Sequence, residues 1–442
     1  MSEEKSKIAF GPKSSSMSFP ASFPASFPDL SEEASQALLG YADLLRDVFP
    51  MKAAHRRHLA DNIQELSSFL IEDRKEVLGR DYLHTPAALG AYLWYFLPWN
   101  LLRLTRLLGG LKPDLPEGAN IVDLGAGPLT FVQALALARP DLLSRELHFY
   151  CLDTTPKPMR EGRKLYHGLL NALGMAESAR WKIHLVHAPW HVALKDTPRA
   201  DMLVATNFMN ELPWHRREPL SEQVRVFFRE VSSSLRPDGQ ALFVEPGNRL
   251  GGKLITLLRE SGVGAGWNVL GPCTHPQPCP MLAHRETSWC HFTVSTRGCP
   301  PWLEELSREA ELRKRDVSLS YVHLAGPQGR RPDTKEDLAR IISAEFPVPD
   351  REKGMMTGRY GCAVHGKVLI LSGQGEAGTR SGDIVPVHLP EKPRHDPKSQ
   401  ALIGTLHPDK KPRRATRRPE EVKSPGREAR REDGGPNRTR KK

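Results

Sequence analysis

The sequence lacks a hydrophobic run long enough to cross a membrane. Its longest apolar stretch, residues 87–102, is shorter than the roughly 20 residues that a membrane-spanning helix needs, and it contains Pro98 and Asn100. The first residues, MSEEKSKIAFGPKSSS, carry two glutamates and no apolar run, so they match neither a secretory signal nor an Arg-rich transit peptide. We therefore expect no membrane partner and a cytoplasmic location by default.

Cysteine is also scarce, with six in 442 residues. Without an export signal, so few cysteines argue against a disulfide framework and favour thiols or metal ligands. The chain is nevertheless 39% hydrophobic, which is enough apolar residues to bury a full core in two or three structural units.

Positive charge is concentrated near the end of the chain. The whole sequence has a net charge of +11, and residues 391–442 alone contain 17 Lys and Arg against 8 Asp and Glu. The other residues are close to neutral. This distribution predicts an anionic partner and a basic tail that is disordered until bound.

Residues 119–246 alternate short apolar runs with amphipathic stretches. The runs NIVDLGAG, ELHFYCLD, WKIHLVHA, DMLVATNF and QALFVEP read as buried strands, which predicts an α/β fold with a doubly wound parallel sheet. Helical spacing begins at Ser31, after a repeated Ser-Phe-Pro-Ala segment. The predicted units are a disordered arm (1–30), a helical domain (31–114), the core (115–262), a cysteine-rich insert with late strands of the core (263–375), and the tail (376–442).

A glycine loop follows the first predicted strand. It reads Asp123-Leu-Gly125-Ala126-Gly127-Pro, without the third glycine of a dinucleotide fingerprint. The Asp-x-Gly-x-Gly form resembles class I S-adenosylmethionine (SAM) methyltransferases, in which an acidic residue at the end of the second strand accepts the ribose hydroxyls. Asp153 lies there. We therefore predict SAM binding by Asp123, Gly125, Ala126, Gly127 and Asp153; the alternative is that the glycines only turn the chain.

The fourth predicted strand leads into Asn207-Phe-Met-Asn210-Glu211. Methyltransferases place residues that face the methyl group at this point, so Asn210 and Glu211 are the candidate catalytic residues. Both could orient a substrate amine or hydroxyl by hydrogen bonds. Methyl transfer depends mainly on positioning, so a missing base does not exclude it. The alternative is that both residues cap the next helix.

Three cysteines lie close together in a Pro-rich segment, Cys273, Cys279 and Cys290. Their spacing is poor for a zinc ribbon, which prefers Cys-x-x-Cys pairs. A cubane cluster tolerates longer spacing, and Cys279-Pro resembles ferredoxins, so iron-sulfur is favoured over zinc. The candidates for the fourth ligand are Cys299, Cys362 and a histidine (His275, His284 or His291). Cys151, inside the second strand, is predicted to be a core residue.

These motifs together resemble the methyltransferase-like family of small-ribosomal-subunit assembly proteins, which includes mitochondrial methyltransferase-like protein 17 and bacterial relatives. The resemblance covers about residues 50 to 375 and rests on the glycine loop, Asn210-Glu211-Leu, Cys273-x5-Cys279-Pro and Trp289-Cys290-His-Phe. The chain departs from many relatives at Leu129, where they carry glycine.

The resemblance implies a [4Fe-4S] cluster on Cys273, Cys279, Cys290 and Cys362, and binding to small-subunit ribosomal RNA. It also implies the mitochondrial matrix as the location in a eukaryote, and a monomer is expected. The leading interpretation is a SAM-dependent methyltransferase of class I acting on that RNA. One alternative is a non-catalytic RNA-binding assembly factor whose SAM fold is degenerate. Another is a small-molecule methyltransferase with a structural zinc ion.

Overall fold

The computed structural model describes residues 25–71, 82–215, 217–282, 289–332, 338–350, 354–373 and 379–406. The predicted α/β architecture is present. A mixed sheet of eight strands has the order β3-β2-β1-β4-β5-β8-β6, with β7 paired to β8. Its strands are β1 Ala119–Leu124, β2 Leu147–Asp153, β3 Trp181–His187, β4 Ala200–Thr206, β5 Leu235–Pro246, β6 Asn268–Gly271, β7 Phe292–Ser295 and β8 Asp316–Ala325.

Strands β1 to β5 are parallel, and β8 is inserted antiparallel between β5 and β6. The five apolar runs identified in the sequence correspond to β1–β5 and are confirmed. Strand order reverses between β1 and β4, and ligands of open α/β sheets bind at such a point, beside the carboxyl ends of the strands.

Helices cover both faces of this sheet. Those that follow strands are Thr130–Ala138, Pro156–Ala172, Trp190–Asp196, Leu220–Ser233, Arg249–Gly264 and Pro301–Glu309. Those that precede β1 are Glu32–Leu39, Tyr41–Val48, Ala53–Arg57, Leu59–Ile71, Pro86–Ala91 and Leu97–Leu111, the last two joined by a π-helical turn at Tyr92–Phe96. The helices before β1 share one apolar core with the sheet, because buried Tyr41, Leu97 and Phe131 belong to the same cluster.

The prediction that the strands up to residue 375 all belong to the core sheet is wrong for the strands after β8. They form a second, six-stranded sheet: β9 Leu338–Ile341, β10 Phe346–Asp350, β11 Gly354–Ala363, β12 Gly366–Ser372, β13 Ile384–His388 and β14 Leu402–Leu406. Strands β13 and β14 lie inside the predicted disordered tail, so that prediction is wrong for residues 384–406. Both β13 and β14 have only five residues. They are stabilised by pairing with strands that are distant in the sequence, β13 with β9 and β14 with β12. Residues 407–442 lie outside the described part.

The predicted disordered arm is also wrong for its last residues, while residues 1–24 lie outside the described part. Phe27 is 5% exposed and packs on the rings of Phe292 and Tyr321. The buried Arg106 donates to the carbonyl oxygen of Pro28 at 2.9 Å and to Asp29 at 2.6 Å. These contacts fix an N-terminal strap, residues 25–30, against the helix Leu97–Leu111.

Candidate functional site

The glycine loop follows β1 at the carboxyl edge of the large sheet. Gly125 and Gly127 have φ angles of +65° and +49°, which favour glycine. A Cβ on Gly125 would lie 2.4 Å from the ring of Phe208. The helix Pro156–Ala172 also approaches this loop closely, because Gly162 leaves room for the backbone of Pro128. The loop is therefore held tightly between its neighbours.

Asp153 joins the glycine loop to the end of β2. Its Oδ2 accepts a hydrogen bond from the amide of Gly127 at 2.9 Å, and its Oδ1 accepts from the amide of Thr155 at 2.8 Å. Ala126 donates to the carbonyl oxygen of Leu152 at 3.1 Å. The structure thus brings three predicted SAM-binding residues together.

Asp123 lies beneath the loop and is 1% exposed. Burial raises the pKa of this carboxyl well above its usual range, and the neighbouring Asp153 raises it further. Its Oδ1 has no hydrogen-bond partner among the described residues. Cys151, next to it on β2, is fully buried, which confirms its prediction as a core residue.

Asn210 and Glu211 lie in a short 3-10 turn, Met209–Glu211, after β4. The buried Glu245 at the end of β5 anchors this turn, because its carboxylate accepts from the amides of Met209 at 2.8 Å and Asn210 at 3.3 Å. With its amide nitrogen facing inward, the Asn210 side chain donates to Glu245 at 2.9 Å. Neither residue caps the helix Leu220–Ser233, whose N-cap is Pro219.

Two residues of this site, Arg103 and Tyr92, come from the helices before β1, and the sequence analysis missed both. Arg103 donates to the side-chain oxygen of Asn207 at 2.6 Å and to the carbonyl oxygen of Ser318 at 2.8 Å, and burial lowers its pKa to about 10. Burial raises the pKa of Tyr92, and the charge of Glu211 raises it further. The only feature of the sequence that could have indicated a site here is the aromatic run, and such a run is equally typical of a buried core helix.

A cavity of about 400 Å³ lies beside this turn. Polar residues at the ends of β4 and β5 form one wall, and an aromatic wall comes from the helices before β1. Its lining residues include Tyr92, Tyr95, Phe96, Trp99, Asn100, Arg103, Asn207, Asn210, Glu211, Asn248 and Lys314. The residues of the glycine loop do not line it. The cavity nevertheless adjoins the predicted cofactor position, because its wall residue Asn207 is followed by Phe208, whose ring lies against Gly125. It has the mixed apolar and polar walls of a small-molecule pocket.

The predicted metal ligands meet where the two sheets come together. Cys273, Cys279 and Cys290 lie between β6 and β7, and Cys362 lies on β11. Burial raises the pKa of the Cys362 thiol, and the neighbouring Cys273, Cys290 and Cys279 raise it further. Burial also raises the pKa of Cys290, again with Cys273 and Cys279 as neighbours. All four thiols thus lie within electrostatic reach of one another.

Cys299 stands apart from this group. Burial raises its pKa to about 12, and the next contribution comes from Glu304 rather than from another thiol. Its sulfur contacts the carbonyl oxygen of Pro300 at 3.6 Å. Of the three histidine candidates, His275 has its Nε2 3.8 Å from the sulfur of Cys362, and His284 lies outside the described residues.

Two buried arginines lie beside the four thiols. Arg259 donates to the carbonyl oxygens of His275 at 2.9 Å and Gln277 at 2.6 Å. Burial lowers the pKa of Arg259, but nearby Cys273 and Glu260 outweigh that effect, so the pKa is raised overall. Arg340 on β9 donates to the carbonyl oxygen of Pro272 at 2.6 Å. These cations favour the thiolate forms that a metal centre requires.

Across the described parts of the chain, no group of three or more His, Cys, Asp or Glu side chains is close enough to hold a single metal ion. A tetrahedral zinc site needs four donors within bonding distance of one atom. The four thiols are neighbours but do not surround one centre among the described residues, and this applies to a zinc ion and to an iron-sulfur cluster alike.

The sequence matches one known protein family. The family described as "Mitochondrial small ribosomal subunit Rsm22" matches residues 86–346, more than half of the chain. The chain belongs to the Rsm22 family. This result confirms the resemblance drawn from the sequence motifs, and the matched region includes the glycine loop, the turn at Asn210 and three of the four clustered cysteines. The second sheet, apart from its first strands, lies beyond the match.

The solved structures that this Rsm22-family chain resembles are distant from it. A SAM-dependent methyltransferase candidate from Streptococcus mutans is 11% identical, with a TM-score of 0.32; the match covers 51% of this chain and 50% of that one. Precorrin-6y C5,15-methyltransferase from Geobacter metallireducens is 13% identical, with a TM-score of 0.27, covering 56% and 91% of the respective chains. This chain thus spans half of the first structure. A search of curated proteins found no match.

The fold of this Rsm22-family protein is α/β, with a mixed sheet flanked by helices. No helix in the described ranges is long and apolar enough to span a membrane.

Proposed function

We propose that this Rsm22-family protein binds SAM at the glycine loop and acts on the RNA of the small ribosomal subunit during assembly. The observation that carries the SAM proposal is the contact between Gly127 and Asp153 at the carboxyl edge of the sheet. The unpartnered oxygen of Asp123 also fits a polar ligand at the loop. Family membership supports the ribosomal partner.

SAM, when bound, supplies an electrophilic methyl group. Asp153 would bind the ribose, and the bare backbone of Gly125 and Gly127 would admit the rest of the cofactor. Glu211 at the cavity wall would orient the acceptor group by a hydrogen bond. Glu245 holds the turn that carries Glu211, so it is a positioning residue.

We also propose an iron-sulfur cluster on Cys273, Cys279, Cys290 and Cys362. The four neighbouring thiols, of which Cys279 and Cys362 are buried and Cys273 and Cys290 half-buried, fit such a centre together with the adjacent cations Arg259 and Arg340, since thiolates are the ligands of these clusters. Three ligands lie beside the large sheet and one lies on the second sheet. The cluster would therefore fasten the two sheets together.

Calorimetric titration of anaerobically purified protein with SAM tests the first proposal. We expect saturable binding with one site per chain. Absence of binding at millimolar SAM would contradict it.

A non-catalytic assembly factor is the second candidate, and two contacts favour it. The ring of Phe208 packs on Gly125, and the side chain of Asn210 is held by Glu245. Both contacts reduce the room and the free polar groups near the loop. Transfer of labelled methyl from SAM to small-subunit RNA decides between the candidates: incorporation that is lost in Glu211→Ala supports the enzyme, and binding of SAM without incorporation supports the factor.

A further inference from the structure

The second sheet closes into a barrel with a recognisable topology. Strands β9 and β10 pair with successive halves of β11, so they act as one bent strand. The order then runs β11, β12, β14, β13 and back to β9. Strands β12 and β14 are parallel, and the other described pairs are antiparallel. This is the five-stranded Greek-key arrangement of the oligonucleotide-binding (OB) fold.

The direction of each side chain follows from the barrel core. Ala339, Ile341, Ala363, Val368 and Ile370 belong to a separate buried cluster inside the barrel. Because side chains alternate along a strand, the residues between them face outward. The outer face of the bent strand, β11 and β12 is the surface on which OB folds bind their ligands.

Cys362 lies on the same outer face and belongs to the large core cluster, so that end of the face is covered. The part beside it carries an aromatic pair with a cation. The rings of Phe346 and Tyr360 have centroids 5.0 Å apart, and both residues are half-buried. The Nζ of Lys367 lies 5.8 Å from the centre of the Tyr360 ring. Aromatic rings beside a basic side chain are the elements with which single-stranded nucleic acids are bound, since every base can stack and every phosphate is anionic.

Charge around the barrel favours nucleic acid over an oligosaccharide, the other ligand class of this fold. The connection between β13 and β14 contains three basic residues, Lys392, Arg394 and Lys398, against two acidic ones, Glu391 and Asp396. It runs beside β14, where the amide of Ile403 donates to the carbonyl oxygen of Arg394 at 2.8 Å. The sequence after β14, residues 407–442, contains 14 Lys and Arg against 6 Asp and Glu.

We propose that this barrel is a second binding site, in which single-stranded RNA stacks its bases on Phe346 and Tyr360 while Lys367 and the basic connection contact phosphates. This site deepens the proposed action on ribosomal RNA, and it requires neither SAM nor methyl transfer.

The test uses the full-length protein and a fluorescent 12-nucleotide oligouridine, with anisotropy measured at several salt concentrations. We expect Phe346→Ala to weaken binding about 5- to 150-fold, the range for losing one stacked base. Tyr360→Phe, which keeps the ring, should bind like wild type. Lys367→Gln should reduce the slope of log affinity against log salt by about 0.7, whereas Lys195→Gln, on a helix of the large sheet, should not.

A second variant, Lys367→Glu, reverses a charge on the outer face and leaves both aromatic rings of the pair in the sequence. Its binding should fall well below that of Lys195→Glu. Equal binding by these two variants would overturn the proposal, as would wild type that fails to bind oligouridine at low salt. Protein that binds small-subunit RNA but not oligouridine would refute the barrel site and leave the proposed function standing. A chain ending at Leu406 should lose affinity yet remain sensitive to Phe346→Ala.

Discussion

At the scale of single residues, Asp153 makes the sharpest prediction. Asp153→Ala should weaken SAM binding by roughly 1.5 to 3 kcal/mol, because hydrogen bonds to a charged group are lost. Calorimetric titration measures the change. The control is Asp141→Ala, an aspartate paired with Arg139 beyond the helix Thr130–Ala138. An Asp153→Ala protein that binds SAM like the control would show that this carboxylate is not a ligand.

The raised pKa of Glu245 predicts that the free energy of unfolding depends on pH. Burial raises its pKa from 4.5 to about 8, so the folded protein holds a proton that the unfolded chain releases above pH 4.5. Its contribution to stability is therefore complete below pH 4.5 and is lost as pH rises to about 8, by at most ~1.4 kcal/mol per pH unit.

The measurement is the free energy of unfolding of wild type and Glu245→Gln between pH 4.5 and 8. As pH rises, the free energy of unfolding of wild type should fall relative to that of the variant, because glutamine does not titrate. A difference that stays constant across this range would mean that Glu245 is already ionised in the folded state.

At the scale of elements, the N-terminal strap should stabilise the whole fold. Phe27→Ala removes a buried ring from between Phe292 and Tyr321 and should lower the free energy of unfolding by about 3 to 5 kcal/mol. Chemical denaturation provides the measurement. Leu39→Ala, at a side chain that is 48% exposed, should change it by less than about 1 kcal/mol. Similar small effects in both variants would mean that the strap is not fixed.

The cysteine-bearing elements give a paired prediction. Cys362→Ser should release iron and lower the melting temperature, because the second sheet would lose its bond to the cluster. Cys299→Ser, whose sulfur lies with Glu304 and Pro300 instead, should keep its iron. Iron content after anaerobic purification reports both results. Equal loss of iron in the two variants would contradict the assignment of Cys362 as a cluster ligand.

At the scale of the whole molecule, the sequence predicted those parts whose signals are local. Strands β1–β5 are continuous apolar runs, and the loop lies beside Asp153 because adjacent parallel strands end at one edge of a sheet. Tyr92 and Arg103 could not be assigned, since only the packing of their helices against the sheet brings them to Glu211 and Asn207. Strands β13 and β14 are too short to stand out from a basic, Pro-rich segment, and their partners are distant in sequence.

Iron and acid-labile sulfide analysis of anaerobically purified wild-type protein tests most directly whether one cluster joins the large sheet to the barrel. We expect a brown protein with about four irons and four sulfides per chain. Stoichiometric zinc without sulfide, in protein kept strictly anaerobic, would contradict it.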